Sequence, residues 1–302
     1  MEEVVIIGAG PAGLTAGLYA ARSGLSTTIL AGAELGGQLL LTEKIENFPG
    51  FRVASGLDLI ETIRLQAEEA GARIIREKAL SVDVSKEPFK IVTESQRYEA
   101  KSLILAMGAK ARWLGVQGEE QLKGKGVSVC ATCDGFFYRG KKVAVIGGGA
   151  SAVYEALLLV KMAREVIIIC RENSLKGDET LIRRLKENPL VQVIYGAEVK
   201  AFLGKEKLQK IQLSLAAKKE TEIDIDGAFV AIGSDPDSEL VRGQLKMDEW
   251  GRIQTDKETG QTSVAGVFAA GDVQQSGTRQ AILAAASGCL AALSAKAYLL
   301  ER

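Results

Sequence analysis

The chain has 302 residues, with 38 lysines and arginines, 38 aspartates and glutamates, and no histidine. Without histidine there is no Ser-His-Asp or Cys-His nucleophile, no histidine-ligated metal and no histidine proton shuttle, so acid–base work falls to carboxylates, thiols, tyrosine or lysine. A net charge of zero argues against nucleic acid or an anionic membrane as main partner, and 47% apolar residues with 25% charged describe a globular chain long enough for two domains.

The N-terminus reads MEEVVIIG, an apolar strand with no basic segment or cleavage site ahead of it. Four cysteines are too few for a disulfide framework, and together these features point to the reducing cytoplasm. Val4–Leu30 reads as a β-α-β unit built from VVIIG, a small-residue helix and STTIL. Between the first strand and the helix lies Gly8-Ala9-Gly10-Pro11-Ala12-Gly13, a GxGxxG in the context of a dinucleotide-binding turn. Gly8 allows the tight turn, Gly10 lets the backbone approach a pyrophosphate, and Gly13 lets the helix sit close to the sheet. The second strand runs into Ala31-Gly32 and lacks the acidic residue expected for a ribose hydroxyl.

Lys101–Ala109 is a strand ending in Ala-x-Gly, preceded by alternating, charge-rich strands. Next comes Cys130-Ala131-Thr132-Cys133-Asp134. A CxxC brings two sulfurs within disulfide reach and tends to acidify one thiol. Zinc would need two further ligands, but Cys170 and Cys289 are single, distant and set in apolar segments, so no metal is expected. Asp134 is the nearest proton donor or acceptor for a thiolate; its alternative is a helix-cap or turn residue.

Val143–Cys170 repeats the first unit at an offset of 139 residues, with Gly147, Gly149 and Ala152 in the places of Gly8, Gly10 and Gly13. Residues 191–225 read as a β-meander with one wet face, and Asp226–Ser234 repeats the Ala-x-Gly strand. The remainder, with a strand at Val267–Ala270, has no counterpart in the second unit and is expected to return to the first. Ala281–Leu300 is rich in Ala, Ser and Gly, contains Lys296, and reads as a buried, close-packing helix rather than a membrane span. The fold class is α/β: two Rossmann-like, three-layer ββα dinucleotide-binding domains, the second inserted into the first.

The order of these motifs resembles the low-molecular-weight thioredoxin reductases of the FAD-dependent pyridine nucleotide-disulfide oxidoreductases. The resemblance rests on GAGPAG at Gly8–Gly13, GGQL at Gly36–Leu39, IENFPG at Ile45–Gly50, GVSVCATCDGFFYRGKKVAVIGGG at Gly126–Gly149, GVFAAGDV at Gly266–Val273 and RQA at Arg279–Ala281. It implies an FAD domain at 1–113 and 245–302 and an NAD(P)-binding-like domain with the cysteines at 114–244. FAD contacts would come from Gly8, Gly10, Pro11, Ala12 and Gly13, from Gly36, Gly37, Gln38 and Leu39, and from Asn47, Gly271, Asp272, Arg279, Gln280 and Ala281. Asp272 would also substitute for the missing ribose carboxylate. Cys133 would take electrons from the flavin, Cys130 would attack the disulfide of thioredoxin or a thioredoxin-like protein, and Asp134 would be the acid–base residue. A rotation of the inserted domain would present the dithiol to each in turn, in a homodimer.

The nicotinamide half departs from the family. The motif for an NADPH 2′-phosphate reads His-Arg-Arg-x-x-x-Arg, but here it is Cys170-Arg171-Glu172-Asn173-Ser174-Leu175-Lys176. Glu172 repels a 2′-phosphate and suits a ribose diol, which favours NADH over NADPH. Tyr154 replaces the first glutamate of Ala-Val-Glu-Glu-Ala, and Ser234 replaces the histidine of Ile-Gly-His. Neutral drift accounts for each alone. Together they raise the alternative of reduced ferredoxin or another low-potential donor, with Tyr154 stacked on the flavin. A flavin-dependent dithiol oxidase and a redox sensor with an inert CxxC are further readings.

Overall fold

The computed structural model describes residues 1–32, 35–42, 44–215, 220–274 and 279–302. The chain forms two compact units, Met1–Lys110 with Asp235–Arg302, and Ala111–Ser234. The sequence placed the crossings after 113 and 244, so the return comes ten residues early. The segment after 234 is held by the first unit: Val241 and Leu245 are buried among Phe89, Ile91 and Tyr98, and Gln244 Nε2 donates to the Val82 carbonyl at 2.8 Å.

The first unit is built on a seven-stranded sheet. Arg73–Ile75, Thr27–Leu30, Glu2–Ile7 and Arg97–Leu105 run parallel in that spatial order. Arg97–Leu105 then pairs twice. Its first half meets Phe89–Thr93 antiparallel, at the edge of a meander with Ala79–Asp83. Its second half meets Val267–Ala269 in parallel. The burial pattern follows: alternate residues are buried along the meander half, and four in succession where parallel strands flank it. On one face, helices Pro11–Arg22, Gly56–Glu69 and Ala281–Leu300 cover Val4, Ile6, Ile29, Ile104 and Phe268. On the other, the meander and the returning segment cover Val5, Ile7, Leu103 and Leu105.

The C-terminal helix, expected to be buried and closely packed, is so on one side only. It buries one face, Ala285, Gly288, Ala291, Ala292 and Ala295, while Leu283 and Leu293 are exposed. Close approach explains its small residues, since a Cβ on Gly288 would lie 2.0 Å from the Ala12 carbonyl oxygen.

The second unit has a five-stranded parallel sheet in the order Val191–Tyr195, Glu165–Cys170, Lys142–Ile146, Gly227–Val230, Val127–Ser128. Val143 and Val145 face helix Ala150–Leu159. Ala144 and Ile146 face the three-stranded meander Glu198–Leu203, Lys210–Ser214 and Glu220–Asp224. The expected meander over 191–225 is therefore shorter. Val191–Tyr195 joins the parallel sheet in register with Val166–Cys170, and residues 216–219 lie outside the described residues.

Candidate active site

The cysteine pair sits on a single helical turn. Cys130 caps Ala131–Asp134, its sulfur accepting from the Cys133 backbone N–H at 3.2 Å. The two cysteines are joined as a disulfide with Cα atoms 5.3 Å apart. Asp134 ends that turn and is tied back to its start. Ser128 Oγ donates to Asp134 Oδ2 at 2.6 Å and accepts from the Cys130 backbone N–H at 3.1 Å. Burial raises the Asp134 pKa, and the Ser128 hydroxyl partly opposes it. Tyr138, stacked edge-on against Phe229, is pushed up to about 12 by burial and then by the neighbouring Asp134 charge. The sequence reading identified Asp134 but missed Ser128, whose relation to it appears only when the strand Val127–Ser128 lies beside the turn. Cys170 and Cys289 are free, and among the described residues no cluster of three acids or cysteines suits a metal.

Both glycine turns have the shape of dinucleotide cradles. Gly8 has φ +108°, and a Cβ there would lie 2.3 Å from the Ala106 carbonyl oxygen. At Gly13 it would lie 1.9 Å from the Gly8 oxygen, whereas at Gly10 the nearest atom is the Gly36 oxygen at 3.9 Å. Two glycines thus serve the protein's own packing, and the middle one faces open space. The second turn repeats the division: a Cβ at Gly147 would lie 2.4 Å from the Ala231 oxygen, and at Gly149 nothing lies within 4 Å. Each turn opens a helix whose N-terminus has no side-chain cap and no acid in its first turn. Those free N–H groups and the positive helix end suit a pyrophosphate.

In the first unit three of the remaining candidates lie at that turn. Gly36 and Gly37 border Gly10, and Gly271 abuts Ala12, their Cβ positions 3.0 Å apart. Asn47 Nδ2 donates to Gln280 Oε1 at 3.1 Å, and Gln280 stands just before the helix that Ala281 begins. Asp272 is half-buried, its carboxyl raised by burial and lowered in part by Arg279. Gln38 is exposed, and Leu39 packs into the core. One expectation is corrected here. Asp272 follows the strand Val267–Ala269, three strands along from Thr27–Leu30, or about 14 Å at normal strand spacing. It does not stand in for an acid at the end of Thr27–Leu30.

Residues 2–288 match the family described as pyridine nucleotide-disulphide oxidoreductase. The chain is 43% identical to a thioredoxin reductase of Rickettsia felis over 98% of both chains. It is 41% identical to one of Mycolicibacterium smegmatis, over 100% of this chain and 98% of that one. The solved thioredoxin reductase of Giardia duodenalis superposes with a TM-score of 0.95 at 39% identity, covering 99% of each chain. The chain belongs to the pyridine nucleotide-disulphide oxidoreductases. Within them it is a member of the low-molecular-weight thioredoxin reductases, with their two Rossmann-like domains.

The second cradle is bordered by the end of the strand Glu165–Cys170 and the loop after it. Cys170 lies beneath the glycine turn, its sulfur 2.4 Å from where a Gly148 Cβ would be. The loop after it folds back, with Lys176 N–H donating to the Gly148 carbonyl at 2.7 Å. Glu172 pairs with Lys176 at 2.6 Å, and Arg171 beside it is exposed. Tyr154 is 63% exposed, and Ser234 Oγ is buried without a hydrogen-bond partner.

Proposed function

We propose that this chain is an FAD-dependent thioredoxin-disulfide reductase, passing two electrons from reduced nicotinamide dinucleotide through FAD to Cys130–Cys133 and on to thioredoxin or a thioredoxin-like protein. The observation that carries this reading is the disulfide itself, set on one helical turn with a half-buried acid hydrogen-bonded to the strand before it. FAD, when bound, supplies two-electron transfer between the donor and the disulfide. Gly10 and the helix end behind it would hold its pyrophosphate, with Gly36, Gly37, Asn47, Asp272 and Gln280 around the rest.

Reduction of the pair takes two electrons and two protons, breaks the S–S bond and leaves two thiols. Asp134, kept protonated more readily than an ordinary aspartate, gives a proton to the sulfur that leaves and takes one from the thiol that attacks. Ser128 fixes it for both steps by holding the carboxylate and the Cys130 backbone together. The Cys130 thiolate attacks one sulfur of the thioredoxin disulfide, forming a mixed disulfide and releasing a thiolate. Cys133 then attacks Cys130, restoring Cys130–Cys133 and freeing reduced thioredoxin. Cys133 is assigned the flavin side from the family pattern.

For the donor, NADH is favoured over NADPH. Glu172 stands at the end of the strand Glu165–Cys170, where a carboxylate accepts from a ribose diol and repels a 2′-phosphate. A second reading, reduced ferredoxin as donor, is favoured by Tyr154 and Ser234 at positions the family gives to charged or titratable groups. The low cysteine count supports a reducing cytoplasm, and the family resemblance supports a homodimer. Anaerobic titration of the bound flavin with NADH, NADPH and reduced ferredoxin in turn tests the donor. Bleaching by micromolar NADH, with NADPH at least tenfold weaker, is expected. Bleaching by ferredoxin alone overturns it.

A further inference from the structure

Glu155 is a half-buried acid with an enclosed carboxyl oxygen that the chemistry above leaves unused. It lies on helix Ala150–Leu159, whose Ala152, Val153, Ala156 and Leu159 enter the core. The helix packs against the turn Ala131–Asp134, the Glu155 carboxyl lies near the Ala131 backbone N–H, and its Oε2 is buried without a partner. Ala131 is itself buried and is the first residue of the turn that Cys130 caps. The acid thus stands beside the residue that follows Cys130. A carboxylate there would have one N–H to replace its water, and burial pushes its pKa up to about 8, opposed only by the Ala131 N–H.

The titratable groups on the elements packed around this helix do not neutralise it. Asp134 and the cysteines come from the turn, and Tyr138 from the segment after it. Lys142 is paired with Glu165 at 3.0 Å. Helix Glu179–Lys186 brings Glu179, Arg183, Arg184 and Lys186, and Tyr154 on its own helix is exposed. None of these forms a salt bridge with Glu155 among the described residues.

We propose that Glu155 is a positioning residue for the cysteine pair: as a neutral acid it holds the Ala131 N–H and spares the reduced pair a neighbouring negative charge. This rests on the reading of Cys130–Cys133 as the redox couple, and it moves no electron or proton during turnover. A carboxylate beside a thiolate raises the proton affinity of both. The coupling is reciprocal, so reducing the disulfide must shift the titration of Glu155 as much as ionising Glu155 shifts the thiols.

The test is a carbon-13 NMR titration of the full-length holoenzyme carrying glutamate labelled at Cδ, oxidised and then reduced with dithiothreitol under anaerobic conditions. One glutamate is expected to titrate near pH 8 in the oxidised protein, and its midpoint to rise by about one pH unit on reduction. In Glu155→Gln that resonance disappears. Above pH 8, its reduced cysteines should react with iodoacetamide about threefold or more faster than those of the wild type, and equally at pH 6.5. The proposal is overturned if no glutamate titrates above about pH 6, or if the midpoint is the same in both redox states. The wild-type titration decides alone should the variant fail to fold. Failure of dithiothreitol to release two thiols from the pair would sink the underlying redox reading instead.

Discussion

At the scale of single residues, the acid–base chemistry proposed for this histidine-free chain rests on one half-buried carboxylate. Asp134 gains its proton affinity from burial and loses part of it to the Ser128 hydroxyl. An acid whose pKa lies above the ordinary aspartate value holds its proton to higher pH and gives it up as pH rises past that raised value. Asp134→Asn removes the exchange while keeping the shape and one acceptor. Thioredoxin reduction is expected to fall roughly a hundredfold, with flavin content unchanged and the Asp134 limb absent from the pH–rate profile. A variant with more than half the wild-type rate would assign Asp134 to the turn and not to the chemistry. Asp134 was legible because it adjoins the CxxC in sequence. Ser128 and Glu155 were not, because each reaches the cysteines through the fold, one from a strand and the other from a facing helix. Asp272 failed in the opposite direction: the sequence offered it for a ribose that strand order puts out of its reach.

Among elements, the two glycine turns divide the work in the same way, and that division can be tested in the first. Gly13 is filled by the fold's own atoms, with 1.9 Å between a Cβ there and the Gly8 oxygen, while Gly10 has open space around it. Gly13→Ala must displace helix Pro11–Arg22 from the sheet and is expected to cost about 3 kcal/mol or more, seen as a lowered denaturant midpoint even without flavin. Gly10→Ala should leave the apoprotein midpoint unchanged and weaken FAD retention at least tenfold, since its methyl occupies the approach of the pyrophosphate. Equal FAD affinity in Gly10→Ala and wild type would remove the cradle from this turn. The β-α-β units were legible from unbroken apolar runs around glycine punctuation. The edge strand Val191–Tyr195 was not: its one-sided pattern is shared by a meander strand and by the exposed edge of a parallel sheet, and only the pairing to Glu165–Cys170 separates them.

Over the whole molecule, the duplicated cradle was visible from the 139-residue offset, whereas the crossings between units were not, because Gly233 and Pro236 on either side of the early return after Ser234 read equally well as a turn inside the second unit. Asp235–Leu245 belongs to the first unit through Val241, Leu245 and the Gln244 amide, contacts made with strands 150 residues earlier in the chain. The consequence is a clean separation of parts. Every proposed FAD contact lies in Met1–Lys110 or Asp235–Arg302, and the disulfide with its acid lies in Ala111–Ser234. Cys133→Ser should therefore fold, retain FAD at the wild-type ratio and still be bleached by the donor, because it alters neither the FAD contacts of the first unit nor the Gly147–Ala152 turn of the second. It should nonetheless lose thioredoxin reduction by at least a thousandfold, since a single thiol has no partner with which to close a disulfide. Loss of flavin in this variant would mean that the cysteine unit helps to hold FAD. Residual thioredoxin reduction above a few percent would mean that electrons leave the flavin by a route that bypasses the pair.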